Sequence, residues 1–273
     1  MPAPPARFEW RAFQRSRGLG RAVSQLSRGR NLVRGLVEVD VTDARRKLRE
    51  HRRRTGEPVS LTALLVACLA RAAQRHPEVH ALLDWRGRLA VPRQVDVALI
   101  VEAESPKGRV PLAFVLRSAE LKSVAEIDAE IRAAKKRGGD NGRAVRLGGR
   151  LPIWLQRLGL RVIQRSPALT SRYTGTIGVT AVGMFGRRGG WGLALPILPL
   201  GVTVGGLARK PGVVGDQVVP REFLAITLDF DHDAVDGAPA ARFTELFCSM
   251  LEAGGPLGEC AAPAGVPLVA AGR

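Results

Sequence analysis

A mixed α/β fold, an α+β arrangement of one mixed sheet with covering helices, is what the order of the apolar patterns predicts. Short β-branched runs alternate with longer helical patterns along the chain. Strand–turn–strand signals gather late in the chain, where a hairpin pattern spans residues 211–220 around Gly215 and Asp216. The 273 residues are 45% hydrophobic, enough to bury a substantial core, yet only 5% aromatic, so Leu, Val, Ile and Ala must fill it. No internal repeat interrupts this order.

Residues 1–34 read as a basic arm with some helical character, ahead of a main domain over residues 35–253 and a Gly/Ala/Pro-rich flexible tail over 254–273. Within the domain, LVEVDVT at 36–42 alternates as a strand does, and Asp43 is placed to cap a helix running to about Arg53. Ser60 and Thr62 introduce LTALLVACLARAAQRH, a helix apolar on more than one side, which Pro77 ends. Strands follow at 95–103 and 110–116, with turns at 84–87 and 105–108. SVAEIDAEIRAAKKR is a charged helix with Ser123 as N-cap and Glu126 at its third position, a capping box. A Gly-rich loop over 138–150 leads to LPIWLQRLGLRVIQR at 151–165, amphipathic and strongly basic. TIGVTAVG at 176–183 is a buried strand. The apolar stretch from Trp191 to Ala208 is broken by Pro196, Pro199 and several glycines, which argues for a loop and a strand at 201–206 rather than a spanning helix. The strand FLAITLDF at 223–230 and a helix over 238–252 complete the domain.

The formal net charge of +17 is locally concentrated. Residues 1–34 hold eight arginines against Glu9, and residues 143–172 hold seven arginines and no acid, within a basic insertion at about 140–172. Such clusters suit phosphates, anionic lipid or a phosphorylated cofactor. No zinc-finger, Walker or RNA-binding aromatic pattern accompanies them, so sequence-directed nucleic-acid binding is not expected. For the 151–165 segment four readings stand: packing on its own domain, covering a partner subunit, lining a channel, or touching a membrane surface. Cys68, Cys248 and Cys260 have neither metal-ligand nor disulfide spacing, and Cys68 reads as a buried structural thiol. The opening MPAPPARFEW lacks the apolar segment of a secretory leader, so a cytoplasmic location is expected.

Chemistry concentrates at DHDAVDG, residues 231–237, directly after the last strand. His232 is a candidate general base, since a neutral imidazole accepts a proton near neutral pH. Asp236, four positions on, is placed to hold the loop, and Gly237 frees the backbone where the next helix starts. Asp231 and Asp233 favour the charged ring while burial opposes it. A histidine that merely closes a strand end fits the same residues. His51, His76 and His80 read as structural, and no set of histidines has metal-ligand spacing. An oxyanion would need a donor. Thr180 is a candidate, although a threonine in a buried strand is also ordinary β-branched filler.

Taken in order, DHDAVDG followed by APAARF, TIGVTAVGMFG at 176–186, VTVGGLARKPGV at 202–213, and the upstream GLVEVDVTDARR and VDVALIVEAESPKGRVPLAFVL resemble the catalytic domain of the dihydrolipoamide acyltransferases, the E2 components of 2-oxoacid dehydrogenase complexes. The resemblance covers roughly residues 20–250 and implies a chloramphenicol acetyltransferase-like fold. It implies His232 as general base toward a thiol, hydroxyl or amine, Thr180 as oxyanion donor, and Asp236 as the carboxylate holding the loop, in the related acetyltransferase through an arginine. Arg28 and Arg30 are the candidates for that arginine. It further implies a homotrimer with sites between subunits, assembling in some members into larger cores. Asp233 and Ala181 depart from the family pattern, and they favour a contrasting reading, a catalytically silent scaffold. The 35 residues before Leu36 are too few for a lipoyl domain. The expectation is a stand-alone acyltransferase using a coenzyme A thioester, or an E2-like core served by a lipoyl group on another chain. No metal is called for, and no residue is singled out for binding the coenzyme.

Overall fold

The computed structural model describes residues 24–25, 27, 29–105, 108–137, 152–181 and 189–257. Outside the described residues lie most of the basic arm, Arg28, the 138–150 loop, the glycines just beyond Thr180, Cys260 and most of the tail. Eight strands occur among the described residues: β1 (Leu32–Asp40), β2 (Leu82–Leu83), β3 (Leu89–Ala90), β4 (Val97–Ser105), β5 (Gly108–Leu116), β6 (Ile177–Ala181), β7 (Leu200–Val214) and β8 (Gln217–Asp231). Six form one mixed sheet in the order β1-β8-β7-β6-β4-β5, and β2 and β3 form a separate two-stranded ladder around the 84–87 turn. The β6 strand is parallel to both its neighbours, and all other pairs are antiparallel.

The helices are α1 (Thr42–Thr55), α2 (Leu61–Arg75), α3 (Val124–Arg137), α4 (Ile153–Arg165), α5 (Pro167–Thr174) and α6 (Gly237–Glu252). In α2, ten residues from Ala63 to Ala73 are buried, which is why its sequence is apolar nearly all round. Ser60 caps it by accepting from the Ala63 amide, and it ends ahead of Pro77 as expected. The capping box of α3 forms, with Ser123 N–H and hydroxyl donating to Glu126 and the Glu126 amide donating back to Ser123 Oγ. Asp43 does not cap α1. The helix starts one residue earlier, at Thr42, and Asp43 accepts from Arg221 instead. The Thr42 amide is met instead by Asp40 Oδ1 at 3.0 Å, and Asp43, inside the first turn, pairs with the charged guanidinium.

Period-two alternation sorts the central strands into two faces. Val97, Leu99, Ile177, Val179, Leu200, Val202, Leu224, Ile226, Leu228 and Phe230 face the helices and join the core, where Phe230 meets Phe243 of α6 edge-on at 5.8 Å. The opposite face carries small and polar residues. Register aligns Thr180, Thr203 and Thr227 in one row, and Gly178, Gly201, Asp229 and Arg34 in the next. The extended segment 189–199 lies over this face. A Cβ at Gly201 would stand 3.0 Å from Pro196 Cβ, and the Trp191 indole donates to Val37 O on β1 at 3.2 Å. The segment is a loop, as its prolines indicate. The strand beyond it, though, runs through residue 214 rather than stopping at 206. The basic 140–172 insertion supplies α4 and α5, of which only the first shows as a helix in the sequence pattern.

Candidate active site

His232 follows β8 as the first residue of a turn. Its backbone amide donates to Asn31 O at 2.8 Å, and its Nδ1 lies 3.0 Å from Val235 O. A carbonyl can only accept, so this contact places the proton on Nδ1 and leaves Nε2 as the basic nitrogen. The side chain is 48% exposed. It is therefore an oriented imidazole that solvent reaches.

The chain that precedes β1 holds this turn. Arg30 Nη1 donates to Asp231 Oδ2 at 2.7 Å, and Asn31 Nδ2 donates to Asp233 Oδ1 at 2.9 Å. Burial raises the Asp231 carboxyl above its usual range, against the pull of Arg30. Of the two arginine candidates, Arg28 lies outside the described residues, and Arg30 binds Asp231 rather than Asp236. Asp236 itself is 89% exposed, at the N-cap position of α6 without a capping bond, and its Oδ1 is 4.0 Å from His232 Nδ1. Among the described residues it forms no arginine pair. Within one subunit, loop holding thus falls to Arg30 and Asn31. The signal for this was present in the sequence: acids at 229, 231 and 233 around a strand end need donors, and Arg30, Asn31 and Arg34 stand at the start of the strand that pairs with it.

Thr180 is half-buried on β6, on the face away from the helices. It is two strands from β8, opposite Thr227 through Thr203, and His232 is five residues beyond Thr227. At about 4.8 Å per strand and about 3.3 Å per residue, the two backbones are about 19 Å apart. Hydrogen-bond reach is about 3 Å, so one subunit does not bring the base and the hydroxyl together. The neighbours of Thr180 are polar groups that the sequence reading missed. Among the described residues, Thr203 Oγ1, Thr227 Oγ1 and Asp229 Oδ2 are buried without a hydrogen-bond partner, while Asp229 Oδ1 accepts from Arg34 Nε at 2.7 Å. Burial raises the Asp229 carboxyl and Arg34 lowers it. Polar residues at alternate positions of an otherwise apolar strand were their only trace.

The other histidines take structural positions. His80 is wholly buried, with Nδ1 2.9 Å from Thr176 Oγ1, and burial pushes its pKa down to about 4. His76 ends α2 and meets Phe243 edge-on. His51 is half-buried on α1. Cys68 lies in the core of α2. Among the described residues no group of three or more His, Cys, Asp and Glu side chains could hold a metal ion.

Residues 32–144 and 158–257 match the family model for the 2-oxoacid dehydrogenases acyltransferase (catalytic domain). The chain is 25% identical over 203 residues to a probable dihydrolipoyllysine-residue succinyltransferase component of the 2-oxoglutarate dehydrogenase complex of Schizosaccharomyces pombe, covering 72% of this chain and 38% of that one. It is 26% identical over 220 residues to the dihydrolipoyllysine-residue acetyltransferase component of the pyruvate dehydrogenase complex of Cupriavidus necator, covering 78% and 34%. The chain thus spans little more than a third of the length of these relatives. Its fold is that of a probable dihydrolipoamide acetyltransferase from Listeria monocytogenes, with a TM-score of 0.69 at 17% identity over 95% of this chain and 100% of the other.

Proposed function

We propose that this chain, which belongs to the family of 2-oxoacid dehydrogenase acyltransferase catalytic domains, transfers an acyl group directly between a coenzyme A or lipoyl thioester and a thiol, hydroxyl or amine acceptor. The observation that carries this reading is the half-exposed His232 with Nδ1 committed to Val235 O. Its Nε2 takes the acceptor's proton as the acceptor atom attacks the thioester carbonyl. A hydroxyl donor steadies the resulting oxyanion, and Thr180 is the residue we assign. The C–S bond then breaks and the departing thiolate takes the proton from Nε2. Asp233 does not obstruct this, because Asn31 holds its carboxylate. Both acetyl and succinyl transfer occur among the relatives' names, and the acyl group of this chain lies within that class.

The separation of His232 from Thr180 supports a site shared between copies, with the base from one subunit and the hydroxyl from the next. A homotrimer, alone or within a larger core, is the assembly we propose. The exposed apolar residues Leu36, Ile100, Trp191, Leu193 and Leu195 support it, since they surround the Thr180 face and would be covered by a neighbour. Lipoyl carriers and dehydrogenase subunits on other chains are the corresponding partners.

Thiol release from acetyl-CoA, with dihydrolipoamide as acceptor, tests the reading. His232→Ala is expected to lower the rate on the order of 10²–10⁴-fold, and Thr180→Val on the order of 10²-fold. Equal background rates in wild type and His232→Ala would leave a silent scaffold. Mixing the two inactive variants, after dissociation and reassembly, is expected to restore part of the activity.

A further inference from the structure

We infer that the outward face of α4 is a docking surface for an anionic phospholipid bilayer. Trp154, Leu158 and Val162 recur every four residues on this helix, and their exposures are 63%, 52% and 53%. Four-residue spacing places them along one face, and that face is not the one turned to the protein. The inner side is occupied by Gln156, which is buried, and by Gln164, which donates to Ile197 O in the 189–199 segment. A surface helix normally turns its apolar stripe inward. Here Leu155, Leu160 and Ile163 are partly buried, and three further large apolar side chains face out.

Charge selects the occupant. Arg161 and Arg165 are exposed on the same face, between and beside the apolar residues, and Arg157 flanks it. Residues 152–173 contain four arginines and no Asp, Glu or Lys. The following helix adds exposed Arg172 and Tyr173, with the guanidinium 5.7 Å from the ring centroid. Across a two-fold contact this face would meet itself, arginine against arginine, and repel. Tryptophan and aliphatic side chains interleaved with arginines match the boundary between anionic headgroups and acyl chains, where rings and aliphatics enter and guanidinium groups stay at the phosphates. No helix among the described residues is long and apolar enough to cross a membrane, so the contact is with the surface. The family match also skips residues 145–157, so the first turn of α4 is not accounted for by the catalytic-domain pattern.

Flotation of the full chain with vesicles of phosphatidylcholine, alone or with phosphatidylglycerol, tests this without reference to acyl transfer. Binding is expected to the mixed vesicles and not to phosphatidylcholine alone, and to weaken as salt rises. Leu158→Ser with Val162→Ser, and separately Arg161→Gln with Arg165→Gln, are each expected to reduce vesicle binding on the order of tenfold, with circular dichroism and thioester cleavage retained. Trp154→Phe is expected to keep binding while abolishing a vesicle-induced blue shift in emission. Vesicle binding equal in wild type and both double variants would overturn the proposal. So would an absence of binding at low salt. A loss of oligomer mass in the Leu158→Ser, Val162→Ser variant would make the face a contact between copies. Binding to soluble polyglutamate as tight as to the mixed vesicles would make it a site for an acidic protein.

Discussion

Arg30 and Asn31, about 200 positions from His232 in the chain, decide where its imidazole stands. The Asn31 carbonyl takes the His232 amide, its side chain takes Asp233, and Arg30 takes Asp231. Asn31→Ala is expected to lower kcat on the order of 10–100-fold with KM little changed, because a misplaced base costs rate rather than binding. Steady-state kinetics at saturating acetyl-CoA reads the split. At the remote His80, the folded imidazole titrates near 4 and the unfolded one near 6.5. Between those values the unfolded chain binds more protons, so stability falls as pH drops through this window, by up to about 3 kcal/mol. Urea midpoints at pH 7 and pH 5 should therefore differ more for wild type than for His80→Gln. At this scale His232, Thr180 and Asp236 were legible as candidates because their residue types carry chemistry. The clamp was not, because a hydrogen bond from the start of β1 to the end of β8 is a property of register, which alternation alone does not set.

Among the elements, α2, α3 and α6 were legible from periodicity, and α3 also from the capping box that the structure bears out at Ser123. The hairpin of β7 and β8 was only partly so. Its register shifts between Val204 and Leu207, and the glycines at 205 and 206 that permit this irregularity read in sequence as strand breakers. Gly205 has no room for a side chain: an added Cβ would lie 2.2 Å from Gly190 O and 3.0 Å from Ala225 O, both backbone atoms. Gly205→Ala is expected to destabilise the fold by about 1–3 kcal/mol through overpacking, read as a lowered thermal midpoint. It should also loosen the 189–199 segment, since Gly206 N donates to Gly190 O. The insertion was half-legible for a different reason. Its second helix, α5, is only eight residues long, too short for periodicity to stand out.

At the scale of the whole molecule, the mixed sheet with α1, α2, α3 and α6 packed on one face follows from the alternation of strand and helix patterns. What one sequence does not encode by itself is the distance between its chemical groups, and the proposed trimer takes the base and the hydroxyl from different copies. Dilution is therefore expected to lower specific activity and the thermal midpoint together, because folding and assembly are linked. Sedimentation velocity on the same samples gives the mass against which both fall. The ribbon formed by the far ends of β7 and β8 has a different fate. Its last rungs, from Pro211 opposite Pro220 to Val214 opposite Gln217, have no third strand beside them among the described residues, and Val213, Val214 and Val218 stand exposed. Amide deuterium should appear there well before it reaches Leu224 to Phe230, and within the segment from Gly189 to Leu257 limited proteolysis should nick the chain near Gly215 first.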